Sequence, residues 1–452
     1  MKEESAVRPD RMFDRRFLVI LIVPLVIEQL LGVTIGMVDT IMVANVGEAA
    51  VSAISLVDAI TWLIITLFAS FATGGAVVAS QYLGRRDKAS ANIAAMQLLF
   101  LSLTVSIALL IICMPLRTQI IRLIFGNIDT HVLHLSSQYF FYIIASLPFL
   151  ASYNACAALF RSMGNSRVSL WVSVVMNALN ISGNAYFIYV LKMGVVGAGL
   201  STLLSRIIGS IIMLTLITSP TNLISIRGIR HFQVQKEMIR RIFRIGIPNG
   251  IEGSVFQIGK LIVQGFITMF GTAAIAANAI ASSVTSFINI PGGAISLASI
   301  TIIGQTVGAK RYDEATYWGK RLLLISYVAM TSLAIPTYFF TAQIVQVFNL
   351  SAEATATAIT VIRVTMIMSA LLWSPAFALP NFLRASGDAK YTMGVSMFSM
   401  WLFRVAASYL LAIYLGWGVL GVWVGMYIDW ACRSTLFAVR FAGGKWKQIT
   451  LI

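Results

Sequence analysis

Apolar runs long enough to cross a bilayer dominate this sequence, and the first, residues 17–44 (FLVILIVPLVIEQLLGVTIGMVDTIMVA), carries two acids. At about 1.5 Å of rise per residue, such a run exceeds the roughly 30 Å of hydrocarbon in a bilayer and reads as one tilted helix. Further runs follow at 51–80, 92–115, 137–160, 168–191, 195–218, 245–269, 275–303, 322–347, 358–383, 391–415 and 417–438. Backbone in hydrocarbon has no water to bond, so it forms helices or closed barrels, and runs of this length select helices. The expected fold is an all-α membrane protein with twelve transmembrane helices.

Composition agrees. The chain is 58% hydrophobic and 11% charged, against about 25% charged in ordinary soluble domains. The net charge of +16 does not indicate a nucleic-acid surface, because the Lys and Arg residues sit in short loops between spans. They concentrate on the side of the N-terminus, while the opposite side holds Arg117, Arg122 and Lys192. By the positive-inside rule, both termini are expected in the cytoplasm, with the protein multi-pass in the cell (inner) membrane. The first run is too long for a signal-peptide core and is expected to stay as a span. Cys113, Cys156 and Cys432 have no metal-type spacing and imply no disulfide framework.

The chain also repeats. A shift of 224 residues sets Pro24-x-x-x-Glu28 on Pro248-x-x-x-Glu252 and Gln81-x-x-Gly84 on Gln305-x-x-Gly308. A shift of 223 sets Arg161-x-x-Gly164 on Arg384-x-x-Gly387. Six spans per half is an even number, so the halves insert alike and should be related by an axis along the membrane normal. The expected organisation is an N-terminal tail (1–16), an N-lobe (17–218), a linker (219–244), a C-lobe (245–438) and a C-terminal tail (439–452), with a central cleft between pseudo-symmetric six-helix lobes.

Acids inside spans cost on the order of 2.5 to 3.5 kcal/mol each and normally face a cavity or a partner. Glu28 and Asp39 lie eleven residues apart, within about 20° of one helix face and about 16 Å along it. In the fifth span, Asn177, Asn180 and Asn184 share a face at i, i+3 and i+7. They fit either a cation site or hydrogen-bonding glue between helices. The 19 Met residues suit an adaptable substrate wall, and equally a core filler. Pro291, followed by Gly292 and Gly293, and the pair Pro375 and Pro380 mark bending points.

Taken together, the paired Pro-x-x-x-Glu motifs, Val38-Asp39-Thr40 and the Gly-rich loops after the fourth and tenth spans resemble the multidrug and toxic compound extrusion (MATE) transporters. The resemblance covers residues 17–440. It implies export of amphipathic, mainly cationic small molecules in exchange for H⁺ or Na⁺, by two lobes that rock between inward-open and outward-open forms. It implies no cofactor beyond the coupling ion and no nucleic-acid partner, and a monomer in the lipid bilayer is expected. The family's N-lobe cation site maps onto Asp39, Asn180, Asn184 and Thr202, with Glu28 as a further coupling candidate. A carboxylate with amide and hydroxyl oxygens suits a hard cation, so these four are also the candidate Na⁺ ligands. Close family members often carry a second acid at the position of Asn184, so an amide there lowers the charge of the site. In the C-lobe, Glu252 matches a family acid. Val263 stands where the N-lobe has Asp39, and Lys260 and Arg404 stand where it has Gly36 and Asn180. Coupling is therefore expected in the N-lobe, with Glu252, Lys260 and Arg404 as substrate or coupling candidates in the C-lobe. Lys260 and Arg404 are expected to pair with Glu252 or Asp429, while Asp58, Arg206 and Arg363 have no assigned role.

Two rival functions remain. Lys260, Arg363 and Arg404 keep open a lipid-linked oligosaccharide or polysaccharide flippase of the same superfamily. An integral-membrane enzyme is disfavoured, since His131, His134 and His231 all fall in loops and no nucleophile triad, metal cluster or phosphate-binding glycine loop is present.

Overall fold

The computed structural model describes residues 11–126, 128–227 and 232–452. Residues 1–10 of the expected N-terminal tail and 228–231 of the linker, including His231, lie outside it.

Helix ends follow local chemistry. Asp14 accepts from the Phe17 N–H at 2.7 Å, Asp129 from the Val132 N–H at 3.2 Å and Ser351 from the Ala354 N–H at 3.3 Å. Each satisfies a donor that the first turn leaves free. The helices are α1 (Arg15–Ala44), α2 (Glu48–Gly84), α3 (Lys88–Phe125), α4 (Thr130–Ser162), α5 (Ser166–Asn184, continued by a π-helical segment Ala185–Val190) and α6 (Gly194–Ile217). After the linker come α7 (Lys236–Thr268), α8 in two pieces (Thr272–Ile288 and Ile290–Gly308) and α9 (Tyr312–Phe339), with a short helix Thr341–Gln346. Last are α10 (Ala352–Ala385), α11 (Ala389–Tyr414) and α12 (Gly418–Ala442). Helix α8 breaks at Asn289, just before Pro291, where the ring removes an N–H and the two following glycines stiffen nothing.

The described residues form an all-helical protein without strands, and nine of its helices are long and apolar enough to cross a membrane. Polar content explains the other three long ones. Helix α5 carries its Asn stripe, α7 carries Arg240, Arg241, Arg244, Glu252 and Lys260, and α12 carries Asp429 and Arg433. Large side chains such as Ile41, Trp62, Ile111, Leu123, Trp171, Leu261 and Val328 stand exposed, as expected of spans whose natural solvent is lipid.

The lobes meet by exchange of helices. Leu18, Leu21 and Leu25 of α1 pack in one core with Ile295, Ala298 and Ile302 of α8, while Met238, Ile242 and Ile245 of α7 join the N-lobe core with Phe71 and Val78 of α2. At the end carrying the tails the fit is closest. A Cβ on Gly84 would lie 1.9 Å from the Gln305 carbonyl oxygen, and one on Gly308 would lie 2.0 Å from that of Gln81. Glycine is what lets these two backbones cross. The side chains of the same motif finish the seal: Gln81 Nε2 donates to the Ala385 carbonyl and Gln305 Nε2 to the Ser162 carbonyl, each at 2.8 Å. Residues 162 and 385 are themselves repeat equivalents. The C-terminal segment lies over this end. Trp446 is buried against Phe382 and Phe441, Arg244 donates to the Thr450 carbonyl and Arg85 to that of Ile452.

Candidate functional site

The two glutamates of the repeated motif come first, because they line neither of the two cavities described below. Each is held by the arginine that ends the fourth helix of its own lobe. Arg161 Nη1 stands 3.8 Å from Glu28 Oε1, and Ser169 donates to Glu28 Oε2 at 2.9 Å. Arg384 Nη2 stands 2.7 Å from Glu252 Oε1, and Ser396 donates to the same oxygen at 2.7 Å. Glu252 and Arg384 are both 8% exposed. Ion pairs replace water here, so neither acid is left as a lone buried charge. The partner of Glu252 is thus Arg384, not Lys260 or Arg404.

Asp39 sits elsewhere, near the end of α1 and far along the helix from Glu28. It faces a cavity of about 270 Å³ inside the N-lobe, bounded by α1, α2, α4, α5 and α6. Asn184, where α5 passes into its π-helical segment, donates to Asp39 Oδ1 at 2.9 Å. With its amide turned so that both ends are satisfied, Asn180 donates to Asp39 Oδ1 and Oδ2 at 3.1 and 3.2 Å and accepts from Thr202 at 3.3 Å. A π-helical segment displaces the next turn, a device often found beside functional groups. The cavity therefore brings together Asp39, Asn180, Asn184 and Thr202, and leaves out Glu28. The buried Asn184 Oδ1 has no hydrogen-bond partner.

Three further residues complete the cavity: Asp58 of α2, Tyr139 of α4 and Arg206 of α6. Arg206 acts electrostatically on Asp58 and donates to Ser146 at 2.7 Å. The signal for Asp58 and Arg206 was present in the sequence as single charges in otherwise apolar spans. Nothing local says that they line one cavity, because 148 residues separate them.

The C-lobe holds a second cavity, of about 80 Å³. Nine of its ten lining residues stand 224 places after a residue that lines the N-lobe cavity. Equivalence of position comes with reversal of charge: Gly36 becomes Lys260, Asp39 becomes Val263, Asp58 becomes Ser282, Asn180 becomes Arg404 and Thr202 becomes Met426. Arg404 Nη1 lies 3.5 Å from Asp429 Oδ2, while Arg433 Nε donates to Asp429 Oδ1 at 3.0 Å. Lys260 makes no hydrogen bond or ion pair among the described residues. No group of three or more His, Cys, Asp or Glu side chains suited to a metal ion occurs among the described residues.

A model of the MatE family matches the chain twice, over residues 24–186 and 248–410. The chain belongs to the MATE family. Both ends of the second match lie 224 residues beyond those of the first, so the family pattern and the cavity equivalence share one register. Among similar proteins, the uncharacterized transporter YisQ of Bacillus subtilis is 30% identical, with 94% of this chain and 93% of that protein aligned. A probable multidrug resistance protein NorM of Thermotoga maritima is 24% identical over 96% of this chain and 93% of its own. Among solved structures, an outward-facing multidrug resistance MATE transporter superposes with TM-score 0.89 over 96% of each chain, at 21% identity. A MATE in the bent conformation superposes with TM-score 0.87 over 95% of this chain and 94% of that one, also at 21% identity. This MATE protein is accordingly a multi-pass membrane transporter with the two-lobe fold.

Proposed function

We propose that this MATE transporter is a secondary antiporter that exports amphipathic, mainly cationic small molecules in exchange for H⁺ or Na⁺, with the coupling ion bound at Asp39. The observation that carries this reading is Asp39 itself: a carboxylate in a spanning helix, facing a cavity and held by two side-chain amides. A group in that position takes a proton when the amide donors turn away. It takes Na⁺ when the amide oxygens turn in, and the unpaired Asn184 Oδ1 is one oxygen ready to do so. Asp58 restores to the cavity the acid that Asn184 does not supply. An ion drives transport if it stabilises one lobe arrangement more than the other, and a carboxylate whose solvent access changes with the lobes provides that difference.

In this reading the lobes 17–218 and 245–438 rock about the linker 219–244, and the seal between Gln81-x-x-Gly84 and Gln305-x-x-Gly308 is the one that opens and closes. The cluster of Arg85, Arg161, Arg244 and Arg384 at that end supports placing it, with both termini, on the cytoplasmic face of the cell membrane. The test is export of a cationic dye from proteoliposomes under an imposed pH or Na⁺ gradient, each applied alone. Asp39→Asn abolishes the gradient-driven dye ratio while dye binding persists. A wild-type ratio in that variant would overturn the reading, and the gradient that drives the wild type identifies the ion.

A further inference from the structure

We propose that the C-lobe cavity is an oxyanion subsite, and that it takes the carboxylate of exported compounds that carry a negative as well as a positive group. This rests on the export reading above and adds to it the class of substrate.

The charge balance is the first support. Lys260 and Arg404 line the cavity, and Arg433 shares Asp429 with Arg404. One acid, Asp429, fully buried, is shared by the two arginines. The cluster therefore keeps an excess of two positive charges, and Glu252, the nearest other acid on α7, is already engaged by Arg384. Hydrogen bonding is the second. Arg404 is 8% exposed, its Nη1 reaches Asp429 Oδ2 only as a long ion pair of 3.5 Å, and its Nε has no hydrogen-bond partner. Buried guanidinium donors are normally satisfied, and one left without an acceptor carries a desolvation cost. Aromatic contact does not substitute for an acceptor. The Arg404 guanidinium lies 5.0 Å from the Phe256 ring, which it shares with Arg433 at 5.4 Å.

The remaining donors point to an oxygen anion. Asn278 is fixed by giving its amide N–H to Gln264 Oε1 at 3.1 Å and accepting from Trp423 Nε1 at 3.0 Å. That arrangement commits the acceptors of both amides inside the cluster and leaves the Gln264 amide N–H₂, the Ser282 hydroxyl, Lys260 Nζ and Arg404 as donors around the space. At about 80 Å³ the cavity is small but roomy enough for ordered water. A carboxylate displaces it, and the bulk of the molecule stays outside. Arginine with an adjacent lysine suits such a planar oxyanion. The register gives the geometry its meaning: nine lining positions are shared with the acid-lined N-lobe cavity, and at those positions the C-lobe carries the basic side chains that an oxyanion needs.

The experiment uses the full chain in nanodiscs of phosphatidylcholine alone, so that no anionic lipid competes for the site. Two probes are compared, a zwitterionic rhodamine with a free carboxylate and its methyl ester, which is a plain cation. In Lys260→Gln, which strands no partner, the ratio of acid-dye to ester-dye affinity falls about tenfold. The double variant Arg404→Gln with Asp429→Asn, which removes a charged pair together, lowers the same ratio. Sodium acetate displaces the acid dye from the wild type before it displaces the ester. An unchanged ratio in both variants overturns the proposal, as does restoration of the effect by added phosphatidylglycerol only, which would make the cavity a lipid headgroup site. Export of the ester dye by the wild type reports on the antiport reading separately, so the two can fail independently.

Discussion

The two lobes agree at the sealed end and disagree in their cavities. At the sealed end, Gln81 and Gln305 make the same bond, Gly84 and Gly308 the same close approach, and Glu28 and Glu252 the same kind of pair with Arg161 and Arg384. In the cavities the backbone positions are shared, but two acids are replaced by valine and serine, and a glycine and an asparagine by lysine and arginine. The glutamine and glycine contacts cross between lobes and restrain both halves at once, because changing one side breaks the other, whereas each glutamate pair lies within its own lobe. A cavity faces only what passes through it, so each lobe was free to take its own charge.

The comparison breaks most visibly at the glutamates. The pair Glu252–Arg384 is short and buried, whereas Glu28–Arg161 is 3.8 Å long with side chains about one-fifth exposed. Arg384→Ala leaves a buried carboxylate without its cation and is expected to destabilise the protein by about 3 to 5 kcal/mol. Arg161→Ala, where water reaches the acid, is expected to cost about 1 kcal/mol or less. Thermal unfolding of both variants in the same detergent measures the gap, and equal losses would show that the two pairs carry the same load.

The glycine crossing should behave in the opposite way, with the lobes matched. Gly84→Ala and Gly308→Ala each push a Cβ into a carbonyl oxygen, an overpacking cost of about 1 to 3 kcal/mol against the sealed arrangement. Both are expected to shift the population towards opening at that end, by similar amounts. Reactivity of a single cysteine placed near Gly164 reads this out. A large inequality between the variants would mean that the seal is not built on the pseudo-symmetry.

Much of this was readable beforehand, for identifiable reasons. Spans, lobes and the 224-residue register follow from hydrophobic length and from identity of short motifs, which are local properties. Asp39, Asn180, Asn184 and Thr202, set apart through family resemblance, share one cavity because α1, α5 and α6 pack as neighbours. The partner of Glu252 was not readable. Arg384 belongs by sequence to a loop motif, and it reaches Glu252 because α10 continues to Ala385 and turns the guanidinium inward, with Asn381 accepting from Nη1 at 2.5 Å. Asp58 and Arg206 were equally opaque, since which faces of α2 and α6 meet depends on packing across the whole lobe. The exchange of Asp39, Gly36 and Asn180 for Val263, Lys260 and Arg404 was visible through the 224-residue register, but that these positions line two matching cavities depends on how the helices of each lobe pack.

The mildest test concerns the net charge of the N-lobe cavity, where Asp39 and Asp58 outweigh Arg206 by one negative charge. If charge, rather than one particular contact, is what distinguishes this cavity from its C-lobe counterpart, then Asp58→Asn and Arg206→Gln must move cation affinity in opposite directions. For a bound cation about 8 Å away at an effective dielectric near 20, one unit charge is worth roughly 2 kcal/mol before solvent reduces it. About a tenfold change is therefore expected in each variant, weaker for Asp58→Asn and tighter for Arg206→Gln, in the dissociation constant of the ester dye measured without a gradient. The arginine variant also frees Ser146, whose hydroxyl loses a donor, so a small loss of stability is expected alongside the gain in affinity. The two readouts are separable, because dye binding is titrated far below the unfolding temperature. Movement of both affinities in the same direction would show that Asp58 and Arg206 act as one structural pair, and the contrast between the lobes would then rest on Asp39 alone.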